Sequence, residues 1–432
     1  MLRLALLFLI LIVYGSLYPF DTWEPARAPL LSFMLEWPQR VTRADVVQNV
    51  LAYAPFGLFL ALYGLRRSTR HARATVGQVT LLGLLVSVLM ESLQQFEPAR
   101  IASLADVAMN GLGTASGALL ALVFCSAEGA SRAHPLPLVA GLQHWRARHL
   151  RAGTLPDIGL AAVVLWVLSQ TSPLVPTFDL SYIERNLAYL GWQLRLFPHM
   201  GPGATLVSAA CLAALGWVLR TLAAPGRAGA AASDLPFICL LTTVFAAKLV
   251  VYGRFLAFAD VSGALLALGL LHLTRRFSLR AVAVCGSAAL LAGFVMAELE
   301  SGYGRVLHPF NWVPLSGQMR SLTGLENILE LFWPFFTLAY FARWLTPPEQ
   351  RARALWTGAP LVLALVFQLE WIQQAVPGRF GDITQVLLAV CGWLLPWSFR
   401  SGDLRLAAGA VDEPAPASAQ GKVGAASSTS SS

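Results

Sequence analysis

Glu91-Ser-Leu-Gln94-Gln95-Phe-Glu-Pro-Ala-Arg100 sets an arginine nine residues after a glutamate, and Glu370-Trp-Ile-Gln373-Gln374-Ala-Val-Pro-Gly-Arg379 repeats that spacing. A second chance match to this four-residue polar pattern in a chain of 432 residues has odds of roughly one in a thousand, so the chain reads as internally duplicated. Around these units 56% of the residues are apolar and only 12% are charged. Apolar runs of about 17 or more residues recur along the whole length, more than a water-soluble domain can hide. The expected fold class is all-α: a polytopic transmembrane helical bundle of about twelve spans, built from repeated four-helix units.

The runs place spans near residues 3–20, 45–65, 76–95, 104–125, 157–175, 204–222, 236–253, 257–275, 281–299, 326–345, 357–376 and 383–399. The first run follows a lone Arg3 and lacks a small-x-small cleavage site, so it reads as an uncleaved first helix and not as a signal peptide. Tyr182 to Phe197 mixes Glu184, Arg185, Gln193 and Arg195 with aromatic residues and suits the membrane interface.

Lys and Arg set the expected orientation. With the N-terminus cytoplasmic, twenty basic residues fall inside and ten outside, Lys248 lying within a span. Both termini are then cytoplasmic, and the turns bearing Arg100, Arg254 and Arg379 face outward. A cysteine at Ser103 is expected to react with an impermeant reagent from outside, and one at Ser68 is not. The net charge of +8 is accounted for by cytoplasmic loops against anionic lipid, with membrane lipids as partners and no nucleic acid.

In the first copy Asn49 precedes Pro55 and Gly57, Glu91, Gln94 and Gln95 close the next span, and Arg100, Asp106, Asn110, Gly113 and Gly117 open the third. In the last copy Asn327 precedes Pro334, the Glu370 set closes the next span, and Arg379 and Asp382 lead to Gly392, while Gln385 and Ala389 replace Asp106 and Asn110. The middle of the chain reads as a degraded third copy. There Asn186-Leu-Ala-Tyr echoes Asn49-Val-Leu-Ala-Tyr, Arg254 precedes Asp260 by six residues as Arg100 precedes Asp106, and Phe245 stands where a glutamate is expected. The division is a first unit over 1–125, a basic cytoplasmic loop over 126–156, a degenerate middle unit over 157–276, a second full unit over 281–400 and a disordered cytoplasmic tail over 401–432.

These residues resemble the VanZ-like membrane proteins. The first copy has the family's Asn-x5-Pro-x-Gly helix, its Glu-x-x-Gln helix end and its Arg-to-Asp-to-Asn-x-x-Gly-x-x-x-Gly entry to the next helix. His308-Pro-Phe-Asn311-Trp-Val-Pro314-Leu is similar to the Asn-Leu-Ile-Pro-Phe element before the family's asparagine helix. The resemblance covers Asp45 to Cys125 and His308 to Pro396, and the last copy departs from it at Gln385 and Ala389. It implies a bacterial inner-membrane protein of the cell envelope and a link to glycopeptide antibiotic tolerance.

Glu91, Gln94 and Gln95 share one helix face, as do Asp106, Asn110, Gly113 and Gly117, and a short loop would bring the two faces together beneath Arg100. The candidate ligand-binding set is Asn49, Glu91, Gln94, Gln95, Arg100, Asp106 and Asn110 with Glu370, Gln373, Gln374, Arg379 and Asp382. The same residues also suit a structural clamp, because an intramembrane carboxylate must be paired. Gly113 and Gly117 read first as helix-packing positions, and Glu298 and Glu300 as a solvated helix end. Cys125, Cys211, Cys239, Cys285 and Cys391 lie singly. No His/Cys ligand spacing, P-loop or GxSxG is present, so no metal and no cofactor is implied.

Three functions remain. One is a module that binds or handles an amphipathic, lipid-linked or anionic envelope ligand at an outward polar pocket. The second is an intramembrane enzyme with Glu91 or Asp106 as general base and Arg100 as anion clamp. The third is a non-catalytic scaffold. The first is the preferred reading.

Overall fold

The computed structural model describes all residues except 19, 21, 22, 27, 36, 39, 40, 68–71, 99, 130–144, 147, 178, 197–201, 225–229, 301–304, 319–323 and 400–432. The expected tail, the Ser68 label site, Arg320 and the side chain of Cys125 lie outside the described residues. The described elements are helical: α1 (Leu2–Leu17), α2 (Arg43–Arg67), α3 (Ala72–Gln94), α4 (Leu104–Gly129), α5 (Thr154–Thr171), α6 (Leu180–Leu196), α7 (Gly203–Leu222), α8 (Ala230–Val250), α9 (Phe258–Leu273), α10 (Leu279–Leu299), α11 (Gly324–Leu345), α12 (Arg351–Gln373) and α13 (Ile383–Ser398). Each of the twelve expected spans coincides with one of these helices. The thirteenth, α6, is the amphipathic segment between the fifth and sixth spans.

Six of the described segments are long and apolar enough to cross a bilayer, and α1, α9 and α13 are shorter apolar helices. A helix satisfies its interior backbone groups within the segment, the condition the hydrocarbon core imposes. Pro55 lies inside α2 and Pro334 inside α11. The start of α6 is fixed locally: the Ser181 hydroxyl and amide both donate to Asp179, and these bonds hold its carboxyl below the usual range.

The helices form two packed bodies. In the first, α1 to α4 bury their own apolar clusters around Tyr53, Phe56 and Met90 and around Ala61, Leu65 and Ala118. In the second, one continuous core runs from Ile158 through Phe237, Leu290 and Tyr340 to Trp393, so the middle and last groups share an interior. The Tyr14 hydroxyl of α1 donates to the Pro314 carbonyl, tying the bodies together.

Within each group the second and fourth helices are the closest pair: α2 with α4, α7 with α9 and α11 with α13. Glycine makes the first contact possible. A Cβ on Gly57 would meet the Thr114 carbonyl oxygen at 2.2 Å, and one on Gly113 the Val50 carbonyl oxygen at 2.5 Å, so α2 and α4 touch backbone to backbone. The expected packing role of Gly113 and Gly117 is what the structure shows. Asn186 lies on the amphipathic α6, whereas Asn49 lies on the apolar α2.

Candidate functional site

In the first group the polar residues meet at one end of the bundle, where α3 turns into α4. Glu91, in the last turns of α3, is 3% exposed, and its Oε2 accepts the Ser103 amide at 2.8 Å. Ser103 directly precedes α4, so this carboxylate caps the positive end of that helix. Asp106 accepts from the Asn49 amide at 2.7 Å, joining α4 to α2, and buried Asn110 donates to Ser87 at 2.9 Å, joining α4 to α3. Gln94 donates to the Ser16 carbonyl at 2.8 Å. Gln95 holds the loop after α1, taking the Leu31 amide at 3.1 Å and giving to the Pro29 carbonyl at 3.2 Å.

Arg100 does not sit over a pocket walled by Glu91 and Asp106. Its guanidinium donates to the Gly15 carbonyl at 3.1 Å and the Tyr18 carbonyl at 3.2 Å, closing the C-terminal end of α1 where cations are favoured. The space at this end is a cleft of about 800 Å³ between the α1–α2 and α3–α4 connections, lined by Gln95, Arg100 and Ser103 together with Phe33, Trp37 and Phe96. Glu91 and Asp106 are not in its lining. Sequence reasoning found Gln95 and Arg100 and missed the aromatic wall, which comes from a connection with no repeated motif.

Residues 2–125 match the family described as VanZ/LLP1. The first body is similar to a VanZ-like unit. The match spans α1 to most of α4, the helices that share the first set of apolar clusters. No curated protein matches the chain, and no solved structure matches it.

A similar pair of bonds occurs at the end of the chain. The Glu370 Oε2 accepts the Asp382 amide at 2.8 Å, across the same twelve-residue interval as Glu91 and Ser103. Arg379 donates to the carbonyls of Ala297 at 3.2 Å and Glu300 at 3.0 Å, closing α10 at an i, i+3 pair just as Arg100 closes α1. Gln373 donates to Glu298, Gln374 only to the nearby Trp371 carbonyl at 3.1 Å, and Asp382 caps α13 by taking the Thr384 amide at 2.7 Å. Glu298 is not a solvated helix end: it is 8% exposed and pairs with Arg379 at 2.8 Å.

The middle group keeps the arginine device with different partners. Arg254 donates to the carbonyls of Ser169 and Ser172, again an i, i+3 pair at the end of the group's first helix, and pairs with Glu326 of α11. Lys248, which stands where Gln94 and Gln373 stand, pairs with Asp260 at 3.0 Å. At the opposite end of the bundle, Arg220 binds the carbonyls of Thr274 and Phe277, and Arg343 those of Pro396 and Phe399. These are also i, i+3 pairs, each closing the fourth helix of its group. Nothing in the linear pattern marked Arg220 or Arg343. Their positions in the last turn of a second helix were the available signal.

Proposed function

We propose that this VanZ-like membrane protein holds an amphipathic, lipid-linked or anionic envelope ligand at the outward end of its first unit. We further propose that the chain is three such four-helix units, with α6 inserted in the middle one. The three arginines that close first helices at Gly15/Tyr18, Ser169/Ser172 and Ala297/Glu300 support the threefold division. The cleft itself carries the ligand reading: a cavity of about 800 Å³ whose lining combines the Arg100 guanidinium, the Gln95 amide and the carboxylates of Glu24 and Glu97 with aromatic walls, a size and lining that suit a small amphiphile. Leu35 and Ile101 beside it are 86% and 89% exposed, as residues in contact with a lipid interface are. A link to glycopeptide tolerance follows from the family resemblance. No observation favours the enzymatic reading, because Glu91 is spent on the Ser103 amide and lies outside the cleft.

The orientation is tested by cysteine labelling on whole cells. Ile101→Cys, on the exposed α3–α4 turn, is expected to react with an impermeant maleimide, and Phe277→Cys, in the α9–α10 turn, only after permeabilisation. Reversed labelling overturns the outward placement. The ligand reading is tested by mass spectrometry of lipids co-purified with Trp37→Ala and Arg100→Ala. Trp37 is 58% exposed and bears little on packing, so its variant should melt like the wild type yet lose a specific lipid. Arg100→Ala should lose that lipid as well and cost about 1–2 kcal/mol through its two carbonyl bonds. An unchanged lipid complement in both variants refutes the reading.

A further inference from the structure

A second cavity, of about 630 Å³, lies between the middle and last groups, in the body outside the family match. Its walls draw on seven of the described helices, α5, α7 to α11 and α13. Ala204, Ser208 and Cys211 of α7 oppose Gly293 and Ala297 of α10, with Asn327 and Glu330 of α11 alongside. Small side chains on the facing helices leave the space open, while the rest of this core is tightly filled by aromatic residues.

The lining is divided along its depth. At the end where Arg254 and Arg379 sit, the wall carries Asp260, Glu298, Glu300, Glu330 and Asp382 against a single cation, Lys248. Deeper in, Trp166, Leu212, Leu290, Phe294, Leu331 and Trp333 make an apolar floor. Along α10 the eight steps from Leu290 to Glu298 rise about 12 Å, so the polar rim and the apolar floor are separated by the length of a headgroup and the first part of a chain.

Pairing among the described residues leaves negative charge over. Lys248 is taken by Asp260, Arg379 by Glu298, and Arg254 is shared between Glu326 and the more distant Glu330 at 3.4 Å. With Glu326 included, six carboxylates therefore face three cations around this end of the cavity. Two amide oxygens in the lining, Gln318 Oε1 and Gln385 Oε1, are buried with no hydrogen-bond partner among the described residues. Buried acceptors without partners are costly, and a donor supplied by a ligand removes that cost. An anionic head would meet uncompensated carboxylates at low dielectric, whereas an ammonium would be drawn in.

We propose that this cavity binds an amphiphile with an ammonium head, the head among Glu330, Asp382 and the Gln385 amide, and the chain over Leu290 and Trp333. The site is independent of the first-unit cleft. Replacement of Asp106 by Gln385 in the last copy then has a consequence: the lost carboxylate becomes a neutral acceptor aimed at the ligand.

The test uses the full chain in a neutral detergent, with native mass spectrometry and thermal shift read against dodecylamine, phosphatidylethanolamine, and phosphatidylglycerol of the same chains. Both ammonium amphiphiles are expected to bind, and phosphatidylglycerol at least tenfold more weakly. Binding of phosphatidylethanolamine alone would identify the source as a bilayer lipid, and binding of dodecylamine alone as a single-chain cation. Gln385→Leu, which removes an acceptor that makes no internal bond, should leave the unliganded Tm in place. Combined with Glu330→Gln, it should weaken ammonium binding at least tenfold. Equal binding of the ethanolamine and glycerol lipids, or unchanged affinity in a folded double variant, overturns the proposal. A photoreactive alkylamine on the wild-type protein decides the matter without any variant: adducts near Phe245, Leu290 or Leu331 uphold the site, and adducts elsewhere alone refute it.

Discussion

Arg254→Ala is expected to be among the most destabilising single substitutions in the chain, lowering stability by about 3–5 kcal/mol, the usual cost of breaking a buried ion pair from one side. Arg254 is 6% exposed, and its guanidinium serves four groups: the Ser169 and Ser172 carbonyls that end α5, and the Glu326 and Glu330 carboxylates of α11. Alanine would leave two helix-end carbonyls and two acidic side chains facing one another without a cation, and Glu326 already has one buried oxygen with no partner. Arg254→Lys should recover only a fraction of the loss, because a single ammonium cannot reach carbonyls and carboxylates at once as the planar fork does. The measurement is the unfolding midpoint of the purified protein in detergent, with Arg100→Ala beside it. A loss for Arg254→Ala no larger than for Arg100→Ala would show that the acidic partners of Arg254 contribute nothing.

The comparison exposes what the linear sequence could and could not convey. Helix positions were legible because a bilayer demands long apolar runs, and every such run became a helix. The shared spacing has a physical counterpart, because Glu91 and Glu370 each cap a helix twelve residues onward. What the arginines do was not legible. Their partners are backbone carbonyls at Gly15, Ser169 and Ala297, and a carbonyl has no signature in the sequence. An arginine near carboxylates in the sequence therefore reads as an anion clamp, and its work at a helix end shows only in the structure.

The same reasoning explains why the inter-unit cavity escaped notice. Its rim draws Lys248, Asp260, Glu298 and Glu330 from four helices of two groups, and each residue on its own resembles an ordinary helix end. Only packing brings them together. Asn186 is the converse case. Its local string matches that of Asn49, yet its amide binds the Lys248 and Arg254 carbonyls at 3.1 and 2.9 Å, securing α6.

Gly117→Val should be comparably damaging, and the damage should stay within the first body. A Cβ at Gly117 would lie 1.9 Å from the Ala54 carbonyl oxygen and 2.8 Å from the Leu58 nitrogen, both backbone atoms of α2 that no rotamer change can move aside. To admit valine, α4 must back away from α2, which opens the contact at Gly57 and Gly113 and strains the Asn49–Asp106 bond beyond it. Overpacking of this kind costs about 1–3 kcal/mol where side chains can yield, and the upper end or more is expected against backbone. Gly77→Ala is the matched control: nothing lies within 4 Å of its added Cβ, so helix propensity alone should make it neutral or stabilising by up to about 1 kcal/mol. Because the first body has its own apolar clusters, hydrogen exchange in Gly117→Val should accelerate across α2 and α4 and remain at the wild-type rate across α7, α10 and α11. Acceleration spread evenly over all thirteen helices would mean that the two bodies unfold as one and that the division between them carries no energetic weight.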